Sequence, residues 1–200
     1  GINDTQFSSG IPMIFMIGVG YIDNDKDWVY KSFVAKSLER PSEKEICKDM
    51  SIYIRDLANK YNVKNPKCLH WANAEKTHWK SSEKTHFPFS KEWKSHEWKW
   101  FDLLQVFKSE PITVKGSLNF SLKNIAKSLK KHNCIVTDWD NSSCSDGKDA
   151  MIGAMKAYNH VKEDTIPIEN VPIMKEIIKY NEVDVKVIYE IIDYLRKNYT

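Results

Sequence analysis

Glu75, Tyr180 and Asp184 are the side chains whose types and positions suit chemistry. Carboxylates are hard oxygen donors of the kind Mg²⁺ and Mn²⁺ prefer, and a phenol one helical turn from such a ligand can hold a water in place. The clearest pattern is around Asp184. Turning about 100° per residue away from it, Ile173, Ile177, Tyr180, Ile188, Ile191 and Leu195 all fall within about 40°, while Lys175, Lys179, Glu182, Lys186 and Asp193 fall on the opposite side. An aspartate therefore occupies the middle of a stripe otherwise built to face a core. Left unpaired there it costs several kcal/mol or takes up a proton, so a cation, a metal ion or hydrogen-bond donors are expected beside it. The plain reading is a carboxylate tied to a neighbouring lysine or to backbone N–H groups. The sharper reading adds Tyr180 on the same face and Glu75, which follows a short strand at 67–72 at the start of a helix whose dipole favours its ionised form. The ends of strands are where α/β sheets place ligands.

The elements that must hold these residues are read from periodicity. Residues 12–22 are nearly all apolar and 28–35 alternate bulky with polar residues, so they predict a β-hairpin around the acidic turn 23–27. That turn superficially resembles a calcium loop. It has Trp28 and Val34 where such a loop carries Gly and Glu, and a solvated turn is expected. Ile46, Met50, Tyr53, Ile54, Leu57 and Tyr61 recur at helical spacing, predicting a helix over 42–61 capped by Ser42. Asn73 is placed to cap a helix beginning near Glu75, and Ser121 one whose inner face is Leu122, Ile125, Ala126 and Leu129. Residues 149–161 and 173–199 predict two more helices. The order gives an α/β chain with a small mixed sheet flanked by helices.

Two hundred residues, 42% hydrophobic and 28% charged with seven Gly and seven Pro, predict one domain over 1–200 with a sizeable core and exclude disordered, collagen-like and disulfide-stapled classes. The apolar run at 11–22 is shorter than the ~20 residues a bilayer requires, and no basic flank with a small-residue cleavage site precedes it. A cytoplasmic or nuclear protein without a membrane partner is expected. A net charge of +3 permits a polyanion partner without requiring one. Cys47, Cys68, Cys134 and Cys144 show no CxxC pair, so reduced, unligated thiols are expected rather than a zinc site.

Residues 90–102 interleave Lys91, Lys94 and Lys99 with Trp93, Trp98 and Trp100. Aromatic faces between cations suit single-stranded DNA or RNA, each stacked base contributing roughly 1–3 kcal/mol; the alternative is tryptophans packed beneath a loop whose lysines stay in water. Lys123, Lys127, Lys130 and Lys131 read as the solvated side of one helix unless they border a cleft.

Tyr180-Asn181-Glu182-Val183-Asp184 resembles the Tyr-x-x-x-Asp motif of the DEDD exonucleases, which share the ribonuclease H-like fold. Leu69-His70-Trp71-Ala72-Asn73-Ala74-Glu75-Lys76, then Phe101-Asp102-Leu103-Leu104, Gly116 through Ala126, Trp139 and Gly147 resemble, in that order, the ribonuclease-H-like nuclease domain associated with RecB-type nucleases. The resemblance implies a 3′–5′ exonuclease type of phosphodiester hydrolysis at two divalent ions, Mg²⁺ or Mn²⁺, held by four carboxylates. It implies Glu75 and Asp184 as metal ligands, Tyr180 as the residue that positions or deprotonates the attacking water, and Asp102 in support. The family's opening strand carries Asp-x-Glu, which is absent from this sequence. The fold expected is thus a ribonuclease H-like sheet lacking its first strand, to be supplied by another segment or domain of a parent protein, with weak metal binding and little hydrolysis from these residues alone. A nucleic-acid-binding module or a structural or assembly protein retaining the fold is the alternative.

Overall fold

The computed structural model describes residues 12–93, 98–110, 112–140, 147–161 and 166–199. The hairpin is formed by β1 (Met16–Ile22) and β2 (Trp28–Val34), antiparallel, with Met16 opposite Val34 and Ile22 opposite Trp28. Its turn is fastened by Asp23, whose Oδ1 accepts from the N–H groups of Asp25 and Asp27 at 3.0 and 2.9 Å. The acid acts as a turn cap, for which Asp is well suited.

Helix α1 (Arg40–Lys60) starts two residues before the predicted position. Pro41 explains the difference, because a first-turn residue has no partner for its N–H and loses nothing when that N–H is missing. Ser42 is consequently inside the helix rather than capping it. Strand β3 (Lys67–His70) is shorter than predicted, because Ala72 turns the chain with φ 66°. It pairs in parallel with β4 (Lys99–Asp102), His70 opposite Asp102. Helix α2 (Ala74–Thr85) follows Asn73, whose backbone is already helical and whose side chain makes no capping bond. A cap needs the extended conformation that aims its side chain back at the first turn. Helix α3 (Leu103–Ser109) is capped by Asp102 and α4 (Leu122–Lys131) by Ser121, whose hydroxyl accepts from Asn124 N–H at 3.3 Å. Helices α5 (Gly147–Val161) and α6 (Pro172–Tyr199) close the chain.

The chain is mixed α/β, with the strands in two separate pairs rather than one sheet. Helix α6 packs on β1 and on β3, which makes these the inner strands and β2 and β4 the outer ones. Met16, Leu69 and Phe101 pack into an apolar layer with the inner face of α6, whereas Ile17, Val19, Cys68 and Trp100 pack into a second layer with α1. Both strand pairs thus separate the same two layers, as period-two alternation requires. The inward stripe of α6 is Met174, Ile177, Tyr180, Val187, Ile188 and Ile191. Ile173, expected on it, is instead 36% exposed over Gly153 in the first turn. No helix among the described residues is long and apolar enough to cross a membrane.

The second layer contains a fully buried acid. Glu43 accepts from Ile14 N–H at 2.8 Å through Oε1, and from Arg40 Nη1 and His86 Nε2 at 2.8 and 3.0 Å through Oε2. It ties the lead-in to β1, the start of α1 and the residue that ends α2. Burial alone would raise its carboxyl, but the bonds from His86, Ile14 and Arg40, with the Arg40 charge, hold it below the usual range. A lowered acid stabilises the fold fully above its unfolded value of about 4.3 and loses that contribution as pH falls through the folded one. Glu43→Ala leaves the buried Ile14 N–H and His86 imidazole without their acceptor and is expected to cost about 3–5 kcal/mol in urea unfolding at pH 7. The deficit should shrink as pH falls through the folded value of Glu43, where the parent chain loses the same contribution.

Candidate functional site

The parallel strands β3 and β4 end side by side at His70 and Asp102. One oxygen of Asp102 accepts from two backbone N–H groups, Ala72 at 2.9 Å and Leu104 at 3.0 Å. Asp102 therefore caps α3 and fixes the left-handed turn at Ala72 that launches α2. That fixes the position of Glu75 in the first turn of α2, its side chain 51% exposed. His70 is buried beneath, its Nδ1 against the Ala72 carbonyl and 3.9 Å from Glu75 Oε2. The Glu75 carboxyl is raised, first by partial desolvation and then by the charges of Asp184 and Asp102, against the pull of its own N–H and of His70.

Asp184 comes from the other direction, on α6. Its Oδ1 accepts the Trp139 indole N–H at 2.7 Å. Burial pushes its carboxyl up to about 6, with the Trp139 bond and the Lys123 charge pulling the other way. Tyr180, one turn earlier, is 7% exposed. The Lys123 ammonium stands 4.9 Å from the centre of the Tyr180 ring and 5.4 Å from that of Trp139. The charges of Asp184 and Asp102 both reach Glu75, and Tyr180 lies one turn before Asp184 on α6.

Two devices place α6 there. Gly18 and Gly20 on β1 leave room for it: a Cβ on Gly18 would meet Asn181 Oδ1 at 1.8 Å, and one on Gly20 would meet Val185 Cγ1 at 2.8 Å. On the outer strand, Tyr30 donates to Asn181 Oδ1 at 2.8 Å and Trp28 Nε1 to Glu182 Oε1 at 3.0 Å. The Trp139 segment is held by Glu190, which accepts from Val136 N, Thr137 N and Thr137 Oγ1 at 2.8, 2.9 and 2.5 Å.

Sequence reasoning missed the bond from Trp139 to Asp184, the role of Glu190 and the position of Lys123. The Gly-x-Gly spacing of β1 was an available signal, since glycine inside a strand marks close backbone approach; nothing in the pattern pairs Trp139 with Asp184. The stacking platform is corrected. Trp93 and Trp98 are each 2% exposed and pack edge-on against Trp79, with ring centres 5.8 and 5.3 Å away. Bulky apolar rings next to α1 gain more from burial than from water, so their faces are closed to a base. Lys99 is exposed on β4, and Lys94 lies outside the described residues. Cys47, Cys68 and Cys134 are free thiols; Cys144 lies outside the described residues.

Glu75 and Asp184 are hard donors, and the charge of Asp184 adds to the proton affinity of Glu75. They fit one side of a divalent-ion site; among the described residues they do not belong to a set of three or more His, Cys, Asp and Glu side chains that could hold an ion. Compared with known proteins, the chain matches no family model, no curated protein and no solved structure.

An acid raised in the folded state penalises folding once it ionises. The penalty for Asp184 is absent below about pH 4 and complete above a folded value of about 6. Asp184→Asn, which keeps an oxygen for Trp139, should therefore raise stability at pH 8 by on the order of 2 kcal/mol and leave it nearly unchanged at pH 4. Thermal unfolding of both forms at the two pH values checks this.

Proposed function

We propose that the protein is a divalent-cation-dependent phosphodiesterase of the ribonuclease H-like, exonuclease type, acting on single-stranded DNA or RNA. The observation that carries the reading is the pair Glu75 and Asp184, contributed by two distant elements and both raised first by desolvation, with the Asp184 charge reaching Glu75 just beyond the end of β3. A bound Mg²⁺ or Mn²⁺ would offset the water these two carboxylates have lost, and such an ion supplies activation of water and stabilisation of the leaving oxygen. Glu75 and Asp184 hold the ion. Tyr180 orients the attacking water, and Asp102 supports Glu75 by fixing the turn before α2. His70 limits how far the Glu75 side chain swings.

Phosphodiester hydrolysis at two ions requires two more carboxylates. In this reading they come from polypeptide outside the described residues.

A second reading, a nucleic-acid-binding or structural protein that keeps the fold without hydrolysis, is favoured by one observation. The oxygens of Asp102 and Asp184 already accept hydrogen bonds from the chain itself.

The test is digestion of end-labelled single-stranded DNA and RNA by the chain together with the polypeptide that supplies the two further carboxylates. Cleavage is expected with Mg²⁺ or Mn²⁺, lost with chelator or in Asp184→Asn, and reduced about a hundredfold in Tyr180→Phe. Nucleic-acid binding unaffected by chelator, without cleavage under either ion, supports the second reading instead.

A further inference from the structure

We infer that Trp139 is a positioning residue for Asp184: its indole N–H holds one carboxylate oxygen, so that the other is the one offered to a divalent ion. This rests on the hydrolytic reading above. Trp139 Nε1 donates to Asp184 Oδ1 at 2.7 Å, a length typical of an N–H bond to a charged acceptor. Among the described residues no donor bonds the second oxygen, Oδ2. An indole nitrogen donates and cannot accept, so Trp139 fixes the carboxylate without competing for the ion.

A ring can orient a ligand only if its own place is fixed. Trp139 is buried, and the backbone around it is tied down twice. Glu190 accepts from Val136 N, Thr137 N and Thr137 Oγ1 just before it. Asp138, paired with Lys130, closes a turn across Trp139 by accepting from Asp140 N at 3.1 Å. Glu190 and Asp184 both belong to α6, so one helix carries the carboxylate and also the anchor of the group that orients it. Two effects of the indole bond oppose each other at a metal ligand. The bond draws charge from the carboxylate, which by itself weakens its hold on a cation. It also fixes the carboxylate's orientation, and this effect wins, because removing such a partner costs metal sites roughly 10–100-fold in affinity.

The test uses the chain itself at pH 8, where Asp184, with its carboxyl at about 6, is ionised. Mn²⁺ affinity is measured by calorimetric titration. The carboxylate is followed by infrared difference spectra of protein carrying ¹³C-labelled aspartate, the bands lost in Asp184→Asn being those of Asp184. Trp139→Phe keeps a buried ring without the N–H. It should weaken Mn²⁺ binding about tenfold or more and move the Asp184 bands both before and after the ion is added, which a merely structural ring does not do. Glu190→Gln, which loosens the anchor and keeps the indole, should act in the same direction, and it decides the question if Trp139→Phe does not fold. Unmoved Asp184 bands, or an Mn²⁺ affinity equal to the parent's, overturn the assignment while sparing the hydrolytic reading. A parent chain that takes up no Mn²⁺, or takes it up equally in Asp184→Asn, overturns the reading and the assignment with it.

Discussion

A carboxylate set into the apolar side of a helix must be answered by donors or by positive charge, and the arrangement around Asp184 follows from that requirement. The Trp139 indole answers one oxygen, so the segment before α5 has to be held against α6, and Glu190 does so from two turns further along the same helix. Lys123 brings charge, so the first turn of α4 has to stand against Tyr180. The glycines of β1 let α6 approach closely enough for its polar edge to be tied to Tyr30 and Trp28. The site is assembled around one long helix, with both inner strands lying against it.

Glu43, fully buried, and Asp184, partly buried, show how differently the fold can treat an inward carboxylate. Glu43 is enclosed completely, yet three donors, the Arg40 guanidinium among them, hold its carboxyl low, so ionisation is favoured in the fold. Asp184 is less enclosed, yet its carboxyl is high, because one indole and a nearby ammonium do not offset the water it has lost. The first is answered fully by the chain; the second is not. Carboxyls raised by desolvation beside a second acid occur at functional sites and in structural networks alike; in the proposed function Asp184 is of the former kind. Asp102 falls between the two, its accepting oxygen engaged in shaping the turn that carries Glu75.

Much of this was legible in the sequence because helices and strands leave periodic traces. The phase of α6, the inward Asp184, the hairpin and the Ser121 cap follow from spacing alone. What spacing omits is which layer a side chain joins. The tryptophans at 93 and 98 have the same pattern whether they face solvent or Trp79, and only the proximity of α1 decides for burial. Glu43 looks like an ordinary first-turn acid, since its partners Ile14 and His86 are remote in sequence. The early start of α1 and the short β3 reflect local chemistry, a proline and a left-handed alanine, that competes with the apolar repeat. The mixed α/β class was readable; the separation of the strands into two pairs was not, because pairing depends on which edges meet.

The claim on which the rest stands is that Glu75 and Asp184 share one ion-attracting pocket. Substoichiometric Mn²⁺ added to ¹⁵N-labelled protein tests it directly through the indole resonances of the seven tryptophans. Broadening should fall first on Trp139, which donates to Asp184, and should disappear in Glu75→Gln as well as in Asp184→Asn. Broadening of Trp139 that survives either substitution, or that falls first on Trp28 next to the acidic hairpin turn, contradicts a shared pocket.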